Sequence, residues 1–367
     1  MDFKEPVMSN NVRLIAYYLP QFHPIPENNL WHGEGFTEWT NVRKAKPLFK
    51  GHYQPRVPAD LGYYDLREPD VRIRQAEMAE AYGITGFCYW HYWFGRGKRL
   101  LERPFNEVLT SGQPDFPFCL GWANETWRGV WHGVSKGKVL IEQQYPGKED
   151  YIAHFNALLP AFRDERYLTI DDRPIFVIYM PDRVPDFELM REIWNDLAIK
   201  NGLKGIYFIG HSVHSREVDG LLADGYDAVN LLRLYHIRDS KITSWADRLF
   251  NKLDGKRYNI FPYSEAMKFF SGPEDSLERC YPTLIPNWDH SPRSGNKAYI
   301  LTGSTPALFG KHIRTTLDTI KNKSSEHQVA FIKSWNEWGE GNYLEPDVDF
   351  GRQYLETLKS EVERFAV

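Results

Sequence analysis

The feature that most limits the fold is an alternation along the chain. Eight short apolar runs, rich in β-branched and aromatic residues, are separated by stretches with helical spacing. The runs are VRLIAYYL (12–19), ITGFCYWHYW (84–93), FPFCLGWA (116–123), RPIFVIYM (173–180), KGIYFIGH (204–211), YDAVNLL (226–232), YPTLIPNW (281–288) and QVAFIKSW (328–335). Among the helical stretches, EPDVRIRQAEMAEAYG stops at Gly83, and EDYIAHFNALLPAF puts Ile152, Phe155, Leu158, Leu159 and Phe162 on one side. FELMREIWNDLAIKNG does the same with Leu189, Ile193 and Leu197, and LFGKHIRTTLDTIKN and YLETLKSEVERF complete the set. Eight β runs, each followed by a helix, predict an α/β protein: a parallel sheet closed into a (β/α)8 TIM barrel. A doubly wound open sheet alternates likewise, but LPQFHP follows the first run where that fold wants a glycine-rich phosphate turn.

The 367 residues fit one barrel domain, 1–367, with long insertions at 20–67, 124–147 and 233–280. Neither a linker nor an internal repeat divides it. The net charge of −4 has acids and bases interspersed, which argues against nucleic acid and anionic lipid as partners. No run reaches the roughly 18 apolar residues of a membrane span. MDFKEPVMSNNVRL lacks the apolar core of a signal peptide, so the expected location is cytoplasmic. Cys88, Cys119 and Cys280 are too few and too odd in number for a disulfide framework and read as buried thiols.

In a barrel of this kind the chemistry gathers at the C-terminal ends of the strands. The first run leads to Gln21, His23, Glu38 and Trp39, and the second ends in Trp90, His91, Tyr92 and Trp93. The third runs into WANETW, with Trp122, Asn124, Glu125 and Trp127, the fourth ends near Tyr179 and the fifth at His211. The seventh leads to Trp288, Asp289 and Arg293, and the eighth to Trp335, Asn336, Glu337, Trp338 and Glu340. Such a rim suits sugars, whose C–H faces stack on aromatic rings and whose hydroxyls need paired donors and acceptors.

Glycosidic cleavage usually requires two carboxyl groups, one to protonate the leaving oxygen and one to act as base or nucleophile. Glu337 and Glu340 follow the eighth run directly. Gly339 and Gly341 allow a tight turn that lets both face one cleft, and Trp335 and Trp338 are placed to shield them from water. Glu345 is a weaker candidate.

The stretches YYLPQFHP, GFTEWTNV, GFCYWHYWF, WANETW, RPIFVIY and SWNEWGEGNYLEPD resemble the WbsX-like proteins of bacterial surface-polysaccharide gene clusters, from about residue 12 to 365. Those proteins are similar to the family-99 glycoside hydrolases, endo-α-1,2-mannosidases and mannanases. The latter likeness rests mostly on the barrel and on WNEWGEG. The resemblance implies a retaining reaction in which one carboxylate takes the proton of the sugar's own 2-hydroxyl. That oxygen attacks the anomeric carbon to give a 1,2-anhydro sugar, while a second carboxyl protonates the leaving oxygen. By motif, Glu337 would be the base and Glu340 the acid/base. The resemblance also implies Trp90, His91, Trp122, Asn124 and Glu125 as sugar-binding residues, with His23 and Glu38 as further contacts. Gly339 departs from the hydrolases, which tend to carry His there. The insertions differ too, so the substrate sugar does not carry over.

Other readings stay open. WbsX-like proteins are often described as glycosyltransferases, and DVD (Asp347–Asp349) has D-x-D spacing, although that motif belongs on a Rossmann-like sheet. A non-catalytic glycan-binding barrel would keep the aromatic rim without needing both glutamates. His211 and His214 stand three apart, but no Cys or carboxylate falls at tight zinc spacing, and there is no G-x-S-x-G. The expected partner is therefore an oligo- or polysaccharide, with no cofactor and no metal.

Overall fold

Eight parallel strands close on themselves around a packed interior. They are β1 (Arg13–Tyr18), β2 (Gly86–Trp93), β3 (Phe118–Trp122), β4 (Arg173–Ile178), β5 (Tyr207–Ser212), β6 (Ala228–Leu231), β7 (Cys280–Leu284) and β8 (Val329–Ile332). Each pairs with the next, and β1 closes the ring, with Ile15 opposite Gly86 of β2 and Phe331 of β8. This computed structural model describes residues 12–129, 138–239 and 259–365. The fold is the expected (β/α)8 barrel, and each expected run supplies one of its strands. The runs are apolar throughout because one face fills the barrel and the other lies under helices; every residue of β2 is buried.

The helices are α1 (Pro69–Ala81), α2 (Arg103–Ser111), α3 (Lys148–Phe162), α4 (Phe187–Lys200), α5 (Val218–Ala223), α6 (Pro306–Ile320) and α7 (Gln353–Phe365). Pro69 and Pro306 stand in the first turns of α1 and α6, where a missing N–H costs nothing. The inner stripe of α4 differs from expectation. Phe187, Met190, Trp194 and Ala198 are buried, and Leu189 is exposed. The reason is volume: Trp194 fills the space between His154, Phe176 and Phe208, which no leucine would span. Between β6 and β7 the described residues hold short helical turns, among them His236–Asp239 and Tyr263–Ala266, and the short strand Asn259–Pro262. The expected helix there falls at least partly outside the described residues, as do the N-terminal MDFKEPVMSNN and parts of the insertions 124–147 and 233–280.

Two features set up the mouth of the barrel. The connection from β1 to α1 carries short helices Pro26–His32 and Glu38–Lys44, the second of which packs on the loop after β8. Beside it, Asn259–Pro262 pairs in parallel with Tyr299–Thr302 over a satellite core that includes Leu232, Tyr263, Phe270 and Trp288. Cys88, Cys119 and Cys280 are buried free thiols. Among the described residues no helix is long and apolar enough to cross a membrane.

Candidate active site

The loop after β8 is fixed from below before it presents anything. Asn336 clasps the end of β1: its Oδ1 accepts from the Leu19 N–H at 2.7 Å and its Nδ2 donates to the Leu19 carbonyl at 3.1 Å. The Trp335 N–H donates to the Tyr17 carbonyl at 2.8 Å. The Trp338 indole donates to Glu345 at 2.6 Å and its ring stacks on Tyr343 at 3.6 Å. Glu345 also accepts from Gln75 at 2.6 Å and Tyr64 at 2.9 Å, and burial pushes its carboxyl up to about 7. Glu345, Trp335, Asn336 and Trp338 therefore hold the loop. The expected shielding of the glutamates by Trp335 and Trp338 is not seen, because both indoles turn into the core.

Glu337 and Glu340 point the other way. Glu337 is 3% exposed, and its Oε1 accepts from the Trp90 indole at 2.8 Å and the Lys333 ammonium at 2.7 Å. Lys333 lies over the rings of Trp90 and Tyr17, at 4.9 and 5.4 Å from their centroids, and those rings stack at 4.5 Å. The second oxygen of Glu337 has no hydrogen-bond partner among the described residues. Glu340 is paired with Arg293, has His290 Nε2 at 3.8 Å, and keeps 15% of its side chain exposed.

The electrostatics place further groups around this pair. Burial raises the Tyr92 and Tyr179 hydroxyls far above the ordinary phenol value, with help from the charges of Glu337 and Glu340. Burial and the Glu340 charge push Tyr235 up to about 12. Partial desolvation raises Glu125 as well, although about half of its side chain (49%) stays exposed; Arg183 at 3.8 Å opposes the rise and Glu340 adds to it. The charge of Glu340 acts on all four groups, which lie around it. The hydroxyls of Tyr92, Tyr179 and Tyr235 have no hydrogen-bond partner among the described residues and are not sealed from solvent. A separate small cavity, lined by Arg56, Asn287, Tyr343 and Tyr354, lies behind the loop and includes neither Glu337 nor Glu340.

The rim is tied together over long sequence distances. Asp289 is fully buried and accepts from His52 at 2.8 Å, Gln54 at 2.7 Å and the Ser291 N–H at 3.0 Å. Those hydrogen bonds and the nearby Arg56 outweigh burial and hold its carboxyl at about 2. Its own N–H donates to the Glu340 carbonyl at 2.7 Å. Gly341 makes the expected tight turn, with φ of 64°. Gly339 has a different reason: a Cβ there would lie 1.6 Å from Glu38 Oε1.

Of the expected sugar-binding residues, Trp90, Tyr179 and Glu125 join Glu337 and Glu340. The rest are built into the frame. Side chains alternate along β2, so Trp90 points into the barrel while His91 points out and meets His154 at 2.8 Å. Trp122 packs edge-on against the same His154, and its indole donates to the Trp93 carbonyl. Asn124 bridges to Met180, donating to its carbonyl and accepting from its N–H, both at 2.8 Å. Trp288 belongs to the satellite core and Asp289 to the rim clamp. Trp39 lies among Phe22, Tyr64 and Trp338. His23 is 1% exposed, and burial lowers it to about 4. Glu38 is fully buried against Arg293 at 2.8 Å. His211 is held by Asn230 at 2.9 Å inside the barrel, and Asp347 accepts from the Tyr343 hydroxyl and the Phe350 N–H, each at 2.7 Å. Lys333, Tyr235 and His290 join the site without a motif. The one signal for Lys333 is a cation directly after the apolar run VAFI.

Residues 14–358 match the sequence profile of the family described as Glycosyltransferase WbsX. The chain belongs to the WbsX family. Similar proteins include WxcX of Xanthomonas campestris pv. campestris, strains B100 and ATCC 33913, each 37% identical over 355 residues that cover 96% of this chain and 50% of WxcX. This WbsX-family chain thus spans about half the length of the curated relatives it matches. Among solved structures, the GH99 endo-alpha-mannosidase from Bacteroides thetaiotaomicron is similar with a TM-score of 0.56 at 15% identity, covering 96% of this chain and 97% of that one. A glycoside hydrolase-like protein matches with a TM-score of 0.56 at 16% identity, covering 98% and 97%. At such identities the likeness establishes the shared barrel.

Proposed function

We propose that this WbsX-family barrel is a retaining glycoside hydrolase, or a transglycosylase, acting on an oligo- or polysaccharide. The observation that carries the reading is the pair itself: Glu337 holds Trp90 and Lys333 on one oxygen, and Glu340 is paired with Arg293 and keeps 15% of its side chain exposed. Nearby are the hydroxyls of Tyr92, Tyr179 and Tyr235, which have no hydrogen-bond partner among the described residues. Two donors occupy one oxygen of Glu337, and the other oxygen remains to take the proton of a sugar 2-hydroxyl. The freed oxygen attacks the anomeric carbon, and Glu340 gives its proton to the departing glycosidic oxygen. Glu340 then takes a proton from the water, or from the acceptor hydroxyl, that opens the anhydro ring. The half-buried ring of Tyr179, beside Trp90, offers an aromatic surface against which a pyranose packs.

The family's description favours transfer over hydrolysis, so an acceptor sugar in place of water is the second reading. A nucleotide-sugar mechanism has less support, because both oxygens of Asp347 in the DVD stretch are already hydrogen-bonded. Purified protein is screened against bacterial surface polysaccharides for depolymerisation or chain transfer, with NMR following the anomeric configuration of the first product. Glu337→Gln and Glu340→Gln are expected to keep saccharide binding and lose turnover by more than ~100-fold. Near-native turnover in either variant, or strict dependence on a nucleotide sugar, would refute the proposal.

A further inference from the structure

We propose that Glu38 is a positioning residue that acts through Arg293 on Glu340. The inference rests on the reading of Glu340 as the acid/base. Glu38 Oε1 accepts from Arg293 Nε at 2.8 Å, while its Oε2 is buried without a hydrogen-bond partner. Burying a half-satisfied carboxylate is costly, and packing alone does not call for it. The same guanidinium donates through Nη1 to Glu340 Oε1. One arginine is therefore shared by two carboxylates from opposite ends of the chain.

Gly339 makes the sharing possible. A Cβ there would lie 1.6 Å from Glu38 Oε1 and 2.9 Å from Arg293 Nε, so the Glu38 carboxylate occupies the space a side chain would take. The arrangement meets two opposed needs of an acid/base. Arg293 must hold the Glu340 carboxyl in place, yet an arginine devoted to it would favour the carboxylate and withhold the proton. Glu38 takes part of that charge and leaves the hydrogen bond. The other groups facing Glu340 are His290, Asn342, Glu125, Glu337 and the hydroxyls of Tyr92, Tyr179 and Tyr235. Of these, Glu337 also bears on the Arg293 charge, less strongly than Glu38.

The test compares leaving groups. The sugar released in the polysaccharide screen is supplied as a glycosyl fluoride, which needs little protonation to depart, and as its natural oligosaccharide, which needs a proton. Glu38→Gln is expected to lower turnover of the oligosaccharide at least ~10-fold and leave the fluoride nearly unchanged. Gly339→Ala is expected to give the same split by displacing Glu38. Equal losses on both substrates would mean a structural role and overturn the proposal, as would no loss. Glu340→Gln is run in parallel, and if it keeps oligosaccharide turnover, the reading of Glu340 fails whatever Glu38 does. A crystal structure of E38Q needs no substrate: Arg293 is expected to turn further onto Glu340, and an unmoved guanidinium would refute the charge-sharing.

Discussion

Replacing Asp289 with asparagine should weaken the fold by an amount that depends on pH. The buried carboxylate accepts from His52, Gln54 and the Ser291 N–H, and Arg56 stands 3.9 Å away. These contacts hold its carboxyl at about 2, against an ordinary 3.8. That gap corresponds to about 2.5 kcal/mol of stability at neutral pH. Because the folded-state value is depressed, the contribution is complete well above 3.8 and disappears as pH falls through about 2. Roughly half remains at pH 3. The substituted amide does not titrate, and the donors it leaves unpaired add a cost that does not vary with pH. Urea unfolding followed by the fluorescence of the 12 tryptophans gives the free energies of both proteins at pH 7 and pH 3. The difference between wild type and D289N is expected to shrink by about 1 kcal/mol at the lower pH. A difference that is the same at both pH values would refute the electrostatic account and leave only shape.

Glu345 should behave with the opposite sign. Its carboxyl is raised from 4.5 to about 7, so the stability it contributes is complete below 4.5 and is lost as pH rises through 7. Wild type should therefore lose about 3 kcal/mol relative to E345Q between pH 4.5 and pH 8 in urea unfolding, and a constant difference would count against it. Trp90→Phe removes the indole donor to Glu337 and keeps a ring beneath Lys333; turnover is expected to fall ~10-fold with little change in unfolding midpoint. Tyr179→Phe, which deletes a hydroxyl with no hydrogen-bond partner among the described residues, is expected to weaken saccharide binding several-fold by calorimetry and leave unfolding unchanged.

The barrel was legible because parallel strands buried on both faces read as unbroken apolar runs; the short pair Asn259–Pro262 and Tyr299–Thr302 was not read, being only four residues each. The same property hid which face each residue takes. In GFCYWHYW every position is buried, so nothing in the letters separates Trp90, which meets Glu337, from His91, which meets a helix. Glu337 and Glu340 were legible because acids, glycines and indoles crowd together right after a strand. The indoles were misread as a shield, since a tryptophan beside a carboxylate in sequence points wherever its backbone aims it. Pairs such as Glu38 with Arg293 and His52 with Asp289 lie more than two hundred residues apart and follow no local rule. No spacing argument reaches them.

Those long ties bear on how such barrels can be recombined. Glu38 enters from the β1 connection, Arg293 from the segment beyond β7, and Gly339 and Glu340 from the segment beyond β8. A chimera that grafts any one of these segments from a relative leaves a buried ion without its counterpart, or a side chain in a place kept empty for another. Exchange of specificity between family members should therefore succeed only when all three segments travel as a set, while the helical shell beneath them is free to come from either parent.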